Sequence, residues 1–128
     1  MPKLRILKNK MRTEELKLRT KKFALRIIKL VQSLPKGKVS DVIGHQLLRA
    51  GTSVGANYRA ACRARSQADF ISKITIVEEE ADESSYWLEL ILEAGLMKKE
   101  LLTGIMKEAS ELTAIFTASG QTAKNNKK

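Results

Sequence analysis

One run of basic residues in this chain has the spacing needed to bind phosphate groups. The run consists of Arg19, Lys22, Arg26 and Lys29. Its steps of three, four and three residues place the side chains along one face of a helix. Cationic side chains on such a face neutralise phosphates and release condensed counterions, which is the main source of sequence-independent affinity for nucleic acid. The spacing therefore predicts a phosphate-binding row.

Further basic residues extend the predicted surface before the row, beside it and at the end of the next helix: Arg12, Lys17, Arg59, Arg63 and Arg65. Residues 1–65 contain 17 Lys/Arg and 3 Asp/Glu, whereas residues 66–128 contain 7 and 11. Such a segregated charge creates a directed positive field. The basic surface has few aromatics for base stacking and no recognition motif. We therefore expect nucleic acid, RNA rather than DNA, bound through its phosphates with low sequence specificity.

The sequence does not contain the residue patterns of an enzyme. Its one histidine, His45, and its one cysteine, Cys62, are 17 residues apart on the same predicted helix, or about 25 Å at 1.5 Å per residue. The acidic run of residues 78–83 lacks the Glu-x-x-His pairs of a di-metal bundle. We expect no catalytic centre, no metal and no cofactor.

The location of the protein is predicted from three features. No apolar run reaches the length of a membrane span, and the basic N-terminal segment lacks the apolar stretch of a secretory signal. A single cysteine is typical of a reducing compartment. These features predict a cytoplasmic protein. A membrane-surface helix is less favoured, because the core needs the apolar face of helix one.

Four segments with apolar residues at helical spacing must position the basic residues. Their apolar rows are Leu16, Thr20, Phe23, Ile27, Leu30 and Leu34; Ile43, Leu47, Ala50, Val54, Asn57 and Ala61; Phe70, Ile74, Val77, Ala81, Ser84, Leu88 and Ile91; and Leu102, Ile105, Ala109, Leu112 and Phe116. Short connections make successive helices antiparallel. The sequence predicts an all-α fold, an up-down antiparallel four-helix bundle.

The boundaries of this bundle are predicted from capping and breaking residues. Thr13 and Ser40 are the expected N-caps of the first two helices, Ser66 with Asp69 resembles a capping box for the third, and Gly95 ends it. The bundle is expected over residues 13–119, after a basic flexible tail (1–12) and before a polar tail (120–128). The glycines within helix two predict a close approach of another helix.

Several polar residues fall within or beside the apolar rows. Asn57 is either a buried contact that fixes register or, after a small rotation, a residue at the rim. Glu80 and Glu83 interrupt a second, partly apolar row on helix three, and Arg49 is their expected partner, within one subunit or between subunits. Trp87 on the same row belongs either to a subunit interface or to a single broad core face.

Residues 43–91 resemble the bacterial four-helix-bundle family of 23S rRNA-intervening-sequence proteins. That family shares a helix of the type (I/L)xxQ(I/L)xRAxxSVxxNIAEG followed by SxxxFxxxLxIAxxSxxExxxxL. The positions that match are Gln46, Leu47, Arg49, Ala50, Ser53, Val54, Asn57, Ser66, Phe70 and Ile74. The similarity extends from Phe23 to Phe116. The chain departs from the pattern at residues 58–61, where YRAA replaces IAEG, removes an acid and adds Arg59.

The resemblance implies a homo-oligomeric bundle, such as a homopentamer, whose genes lie within ribosomal RNA insertions and whose molecular activity is not established. A similar bundle is the accessory protein of diversity-generating retroelements, where its partners are a reverse transcriptase and nucleic acid. The resemblance therefore adds an alternative to direct nucleic-acid binding, namely a scaffold or accessory subunit for a nucleic-acid enzyme.

Overall fold

The computed structural model describes the backbone of residues 2–126 and the side chains of residue 7 and residues 9–126. This part of the chain contains four α-helices and no strand: α1 (Pro2–Gln32), α2 (Lys38–Cys62), α3 (Gln67–Glu93) and α4 (Lys99–Asn125). The all-α prediction is confirmed. Among the described residues, no helix is both long enough and apolar enough to cross a membrane.

Contacts between α1 and α2 run in opposite directions along the two helices. A Cβ added at Gly51 would lie 2.8 Å from Ile27 Cγ1, and one added at Gly55 would lie 3.1 Å from Thr20 Oγ1. Moving forward along α2 therefore means moving backward along α1, so the pair is antiparallel. The glycines of α2 are the positions where α1 approaches closely, as the sequence predicted.

The other helix pairs are antiparallel as well, since a second contact in each pair runs in the reverse order to the one given next: Ser53 with Glu80, Glu78 with Thr117, and Arg26 with Gly104. Arg49 of α2 meets Glu83 of α3, and Gln67 at the start of α3 donates a hydrogen bond to the carbonyl of Ala123 near the end of α4. Arg19 of α1 meets Glu108 of α4. Each helix therefore packs against both of its neighbours in a four-helix ring.

The predicted apolar rows form the core. Most of their members are buried, with partial exposure at Leu34, Ile43, Asn57 and Phe70. In α2 the buried row continues through Tyr58, whose ring centroid lies 5.2 Å from that of Phe116, rather than through Asn57. Burial of these rows supplies the main stabilisation of the bundle, since each fully buried Leu, Ile or Phe contributes about 1.5–3 kcal/mol.

The predicted start of helix one and end of helix four need correction. α1 begins at Pro2 instead of Thr13, because proline is well suited to a first helical turn and residues 3–12 contain no further Pro or Gly. Thr13 caps nothing: its Oγ1 donates to the carbonyl of Asn9 within a continuous helix. The expected tails are therefore helical over residues 2–12 and 120–125, while residues 1, 127 and 128 lie outside the described part.

The start of α2 also differs from the prediction, whereas the ends of α3 agree with it. α2 begins at Lys38, after Gly37 with φ of 152°, so Ser40 is not its cap but a buried residue of the first turn. Ser66 Oγ accepts the Asp69 N–H at 3.0 Å, and Gly95, with φ of 69°, follows the end of α3. The capping pattern was reliable only for α3.

Candidate nucleic-acid interface

Arg19, the first residue of the predicted row, is bound to α4. Its Nε donates to Glu108 Oε2 at 2.8 Å, and its Nη2 donates to Glu108 Oε1 at 2.7 Å and to Glu111 Oε1 at 3.0 Å. The hydrogen bonds to Glu108 raise the pKa of the guanidinium above its ordinary value. Arg19 is therefore already paired with two carboxylates, and its role in phosphate binding stays a prediction.

The rest of the row stays exposed on α1. Lys22, Arg26 and Lys29 contact no carboxylate among the described side chains. Arg26 lies beside α4, since a Cβ added at Gly104 would be 3.3 Å from its Nη2. These three residues, called the α1 row below, span about 10 Å of helix at 1.5 Å per residue.

A second group of cations lies around the end of α2. Arg59, Arg63 and Arg65 are exposed on or just after α2, and Arg12 is exposed on α1. Arg12 lies near Tyr58 of α2, where its charge acts on the phenol, which places it at the same end of the bundle. We call these four residues the α2-end cluster.

A shallow cleft between α1 and α2 holds Arg59 beside Lys17, Lys21 and Glu14. Lys17 Nζ lies 3.3 Å from Glu14 Oε1 in an exposed pair, a type of contact that contributes little to stability and leaves the lysine open to solvent. Seven of the nine predicted cations therefore form two groups, the α1 row and the α2-end cluster, while Lys17 lies in the cleft beside Arg59 and Arg19 is paired with α4.

Two neighbouring groups favour the charged form of Asp69, the carboxylate at the start of α3. The pKa of Asp69 is lowered, first by the hydrogen bond from Lys73 and then by the backbone N–H of Arg65. Arg65 thus contacts Asp69 through its backbone at 3.1 Å, while its side chain remains exposed. This leaves the guanidinium of Arg65 available to the α2-end cluster.

The expected link between helices two and three forms within one chain. Arg49 Nη2 lies 3.5 Å from Glu83 Oε1, with the two side chains 54% and 33% exposed, so the pair is long and weak. Burial raises the pKa of Glu80, and the neighbouring Glu83 raises it further. Glu80 therefore lies beside the Arg49–Glu83 pair, and its neighbours Ser53 and Arg49 lower its pKa by favouring the charged form.

Asn57 and Trp87 differ in how their polar groups are satisfied. Asn57 is half-buried and donates to the carbonyl of Ser53 on its own helix at 2.8 Å, which agrees with the rim position and not with a contact between helices. Trp87 is half-buried, and its Nε1 is buried without a hydrogen-bond partner among the described residues. Tyr86, whose ring centroid lies 5.0 Å from that of Trp87, is 52% exposed, and Ile76, three turns earlier on α3, is 40% exposed. Trp87 itself packs against the core.

The acidic run of α3 is distributed around the helix. Glu78 accepts a hydrogen bond from Thr117 at 2.7 Å, whereas Glu79 and Asp82 are exposed. Within the described part of the chain, no three His, Cys, Asp or Glu side chains come together in a way that could hold a metal ion.

The sequence prediction missed the acidic partners of Arg19. Glu108 and Glu111 lie 89 and 92 residues further along the chain, so no local pattern joins them to Arg19. The available signal was their position on helix four, directly beside the buried residues Ala109 and Leu112. A partly buried acid at the edge of an apolar row is stabilised by a cationic partner on a neighbouring helix.

Comparison with known proteins agrees with this architecture. The family model of the 23S rRNA-intervening sequence protein matches residues 14–118. A similar solved structure, of a protein with unknown function from the S23 ribosomal protein family of Bacteroides thetaiotaomicron VPI-5482, is 36% identical, with a TM-score of 0.76. The match covers 81% of this chain and 96% of that chain. No curated protein matches. Because the family match spans most of the chain, this protein belongs to the 23S rRNA-intervening sequence protein family.

Proposed function

We propose that this protein is a non-enzymatic bundle that binds nucleic acid through its phosphates. The observation that carries the proposal is the set of exposed cations, free of carboxylate contacts among the described side chains, in the α1 row and the α2-end cluster. Phosphate binding requires accessible Lys and Arg side chains whose counterions can be released. Arg19 is not among them, because Glu108 and Glu111 neutralise it.

Low sequence specificity follows from the same surface. The most exposed aromatic side chain is Tyr86, which lies on α3 and not beside either basic group. Sequence-specific recognition of RNA depends largely on stacking and on hydrogen bonds to base edges, whereas lysines and arginines on a helix surface contact the backbone. The description of the family, which names 23S rRNA, supports RNA as the first ligand to test.

Salt titration of RNA binding tests the proposal. A labelled single-stranded RNA is titrated with the full-length protein at several KCl concentrations, and binding is read by fluorescence anisotropy. The affinity should fall steeply with salt, with a logarithmic slope of about 0.7 for each neutralised phosphate. Absence of binding at low salt, or an affinity that does not change with the KCl concentration, contradicts the proposal.

Matched charge variants locate the surface. The triple variant Lys22→Gln, Arg26→Gln and Lys29→Gln should weaken binding and lower the salt slope by about 2, for three lost phosphates. The control, Lys98→Gln, Lys99→Gln and Lys107→Gln, removes the same charge from exposed positions at the start and on the outer face of the fourth helix. If both variants weaken binding equally, net charge and not the α1 row determines the affinity.

We also propose that copies of the chain associate through the flank of α3 that carries Ile76, Tyr86 and Trp87. The exposed apolar side chains of Ile76 and Tyr86 on this flank are typical of a surface completed by another molecule. Light scattering should give a mass of several chains. Ile76→Asp should lower that mass, whereas Val42→Asp, at a comparably exposed position on α2, should not. A monomeric wild-type protein contradicts the proposal.

A further inference from the structure

An open cleft lies between the second half of α1 and the first half of α4. Its volume is about 410 Å³, and it is lined by Arg26, Lys29, Leu30, Ser33, Met97, Leu101 and Ile105. The cleft adjoins Gly104, whose missing side chain gives the Arg26 guanidinium its place beside α4. Nothing in the nucleic-acid proposal uses the apolar part of this cleft.

The floor of the cleft is apolar and partly open to solvent. The apolar row on the floor consists of Met97, just before the start of α4, and of Leu101 and Ile105, which are one turn apart on α4. Leu101 is 66% exposed, although it is a large apolar side chain in the middle of that row. Exposed apolar residues at the centre of a concave surface are typical of sites where another molecule docks.

One edge of the cleft is cationic. It consists of Arg26 and Lys29 of the α1 row, whose side chains are exposed and have no carboxylate contact among the described residues. Glu108, which follows Ile105 on α4, forms its ion pair with Arg19 and not with Arg26 or Lys29. The cleft therefore combines an apolar floor with unpaired positive charge along one side.

We propose that this cleft docks an acidic amphipathic helix of a partner protein. The helical part of the floor, from Leu101 to Ile105, extends about 6 Å along α4 or about one helical turn, and Met97 lengthens it before α4 begins. Apolar residues on one face of the partner helix would cover the floor, as in helix-in-groove recognition. Carboxylates along its edge would pair with the α1 row, where charge complementarity fixes orientation and speeds association.

The apolar floor distinguishes this partner from nucleic acid. A phosphate backbone would contact Lys22, Arg26 and Lys29 but leave Leu101 and Met97 in water. A second copy of α1 would bring like charges against the same edge. An acidic helix with apolar anchors satisfies the floor and the edge together, and the inference does not depend on RNA binding.

The test uses a labelled synthetic helix of about 15 residues, long enough for partial helicity, with leucines at positions i, i+4 and i+8 and glutamates along one flank. Binding of this peptide to the full-length protein is measured by fluorescence anisotropy. Leu101→Ala should weaken binding about tenfold, as expected for losing one buried leucine contact. Leu25→Ala, at a similarly exposed leucine outside the cleft, should leave the affinity unchanged.

Two further comparisons separate this inference from the nucleic-acid proposal. A peptide whose leucines are replaced by serine should not bind, and Leu101→Ala should leave RNA affinity unchanged. The pair Arg63→Gln and Arg65→Gln should weaken RNA binding and leave peptide binding intact. No binding of the leucine peptide, equal binding of the serine peptide, or equal loss of RNA and peptide binding in Leu101→Ala would overturn the acidic-helix proposal.

Discussion

Arg19 of α1 and Glu108 of α4 are joined by two parallel hydrogen bonds, from Nε to Oε2 at 2.8 Å and from Nη2 to Oε1 at 2.7 Å. This geometry uses the planar fork of arginine, which lysine lacks. The side chains are 32% and 17% exposed, so the pair is partly removed from water. It ties the first helix to the last and therefore closes the ring of helices.

Replacing Arg19 should destabilise the fold. Arg19→Ala should lower the free energy of unfolding by about 1–2 kcal/mol, because it leaves partly buried carboxylates without their cation. Arg19→Lys should recover only part of this loss, since it keeps the charge without the fork. Urea unfolding monitored by circular dichroism measures the free energy of unfolding of both variants.

Lys17→Ala, which removes the exposed pair with Glu14, serves as the control and should lower the free energy of unfolding by less than about 0.5 kcal/mol. Equal effects at the two positions would show that the Arg19 fork contributes nothing special.

Two glycines should respond in opposite ways to alanine. A Cβ at Gly51 would lie 2.8 Å from Ile27 Cγ1 and 2.9 Å from its Cγ2, whereas a Cβ at Gly120 would lie 3.6 Å from Ile74 Cγ2. Gly51→Ala should therefore destabilise the protein by about 1–3 kcal/mol through overpacking. Gly120→Ala should stabilise it by about 0.5–1 kcal/mol, because alanine loses less backbone entropy in a helix. Thermal unfolding distinguishes the expected decrease in Tm of Gly51→Ala from the expected increase in Tm of Gly120→Ala. A higher Tm for Gly51→Ala would mean that α1 can move away from α2 without loss of stability.

Glu80 should make stability depend on pH. Its pKa in the folded state is raised above the ordinary value of 4.5, first by burial and then by Glu83. The folded state therefore holds this proton more tightly than the unfolded state, and the contribution of Glu80 to stability declines as pH rises from its ordinary pKa through the raised one. Glu80→Gln should match the wild type at acidic pH and be more stable, by less than about 1 kcal/mol, at neutral pH.

Urea unfolding at a series of pH values measures this difference between Glu80→Gln and the wild type. Arg49 and Ser53 face Glu80 from α2 and favour its charged form, so they limit the size of the effect. Glu79→Gln, at an exposed position of α3, is the control and should show no such trend. A Glu80→Gln difference that is constant across pH would exclude the titration of Glu80 as its cause.

The local pattern of the sequence predicted the helices but not all of their ends. Phe23, Ile27 and Leu30 are buried because apolar residues at helical spacing must face a common core. Because Thr13 has the chemistry of a cap, the pattern predicts a start of α1 eleven residues too late. Residues 3–12 contain no helix-breaking residue, so α1 passes through Thr13 without interruption, and the Thr13 hydroxyl donates a hydrogen bond within the helix.

Relations between distant helices could not be read from spacing. The pairing of Arg19 with Glu108 depends on which flanks of α1 and α4 meet, and this is set by how the whole bundle packs. The cleft beside Leu101 depends on the same packing, because α1 and α4 both line it. The rotation of α2 about its axis could not be read from spacing either. A modest rotation decides whether Asn57 or Tyr58 is buried, and in the structure it is Tyr58.

Glu108 and Glu111 should act against RNA binding. They neutralise Arg19 and add negative charge beside the α1 row. The double variant Glu108→Gln and Glu111→Gln frees the Arg19 guanidinium, so it should bind single-stranded RNA more tightly and increase the logarithmic salt slope by about 0.7, for one additional phosphate. The same variant should be less stable than the wild type, because it loses the fork that joins α1 to α4.

The control, Glu79→Gln and Glu93→Gln, makes the same change in net charge at exposed positions of α3 and should raise affinity less, without changing the slope. Equal gains in the two variants would mean that RNA responds to overall charge, and that the neighbourhood of Arg19 is not part of the binding surface.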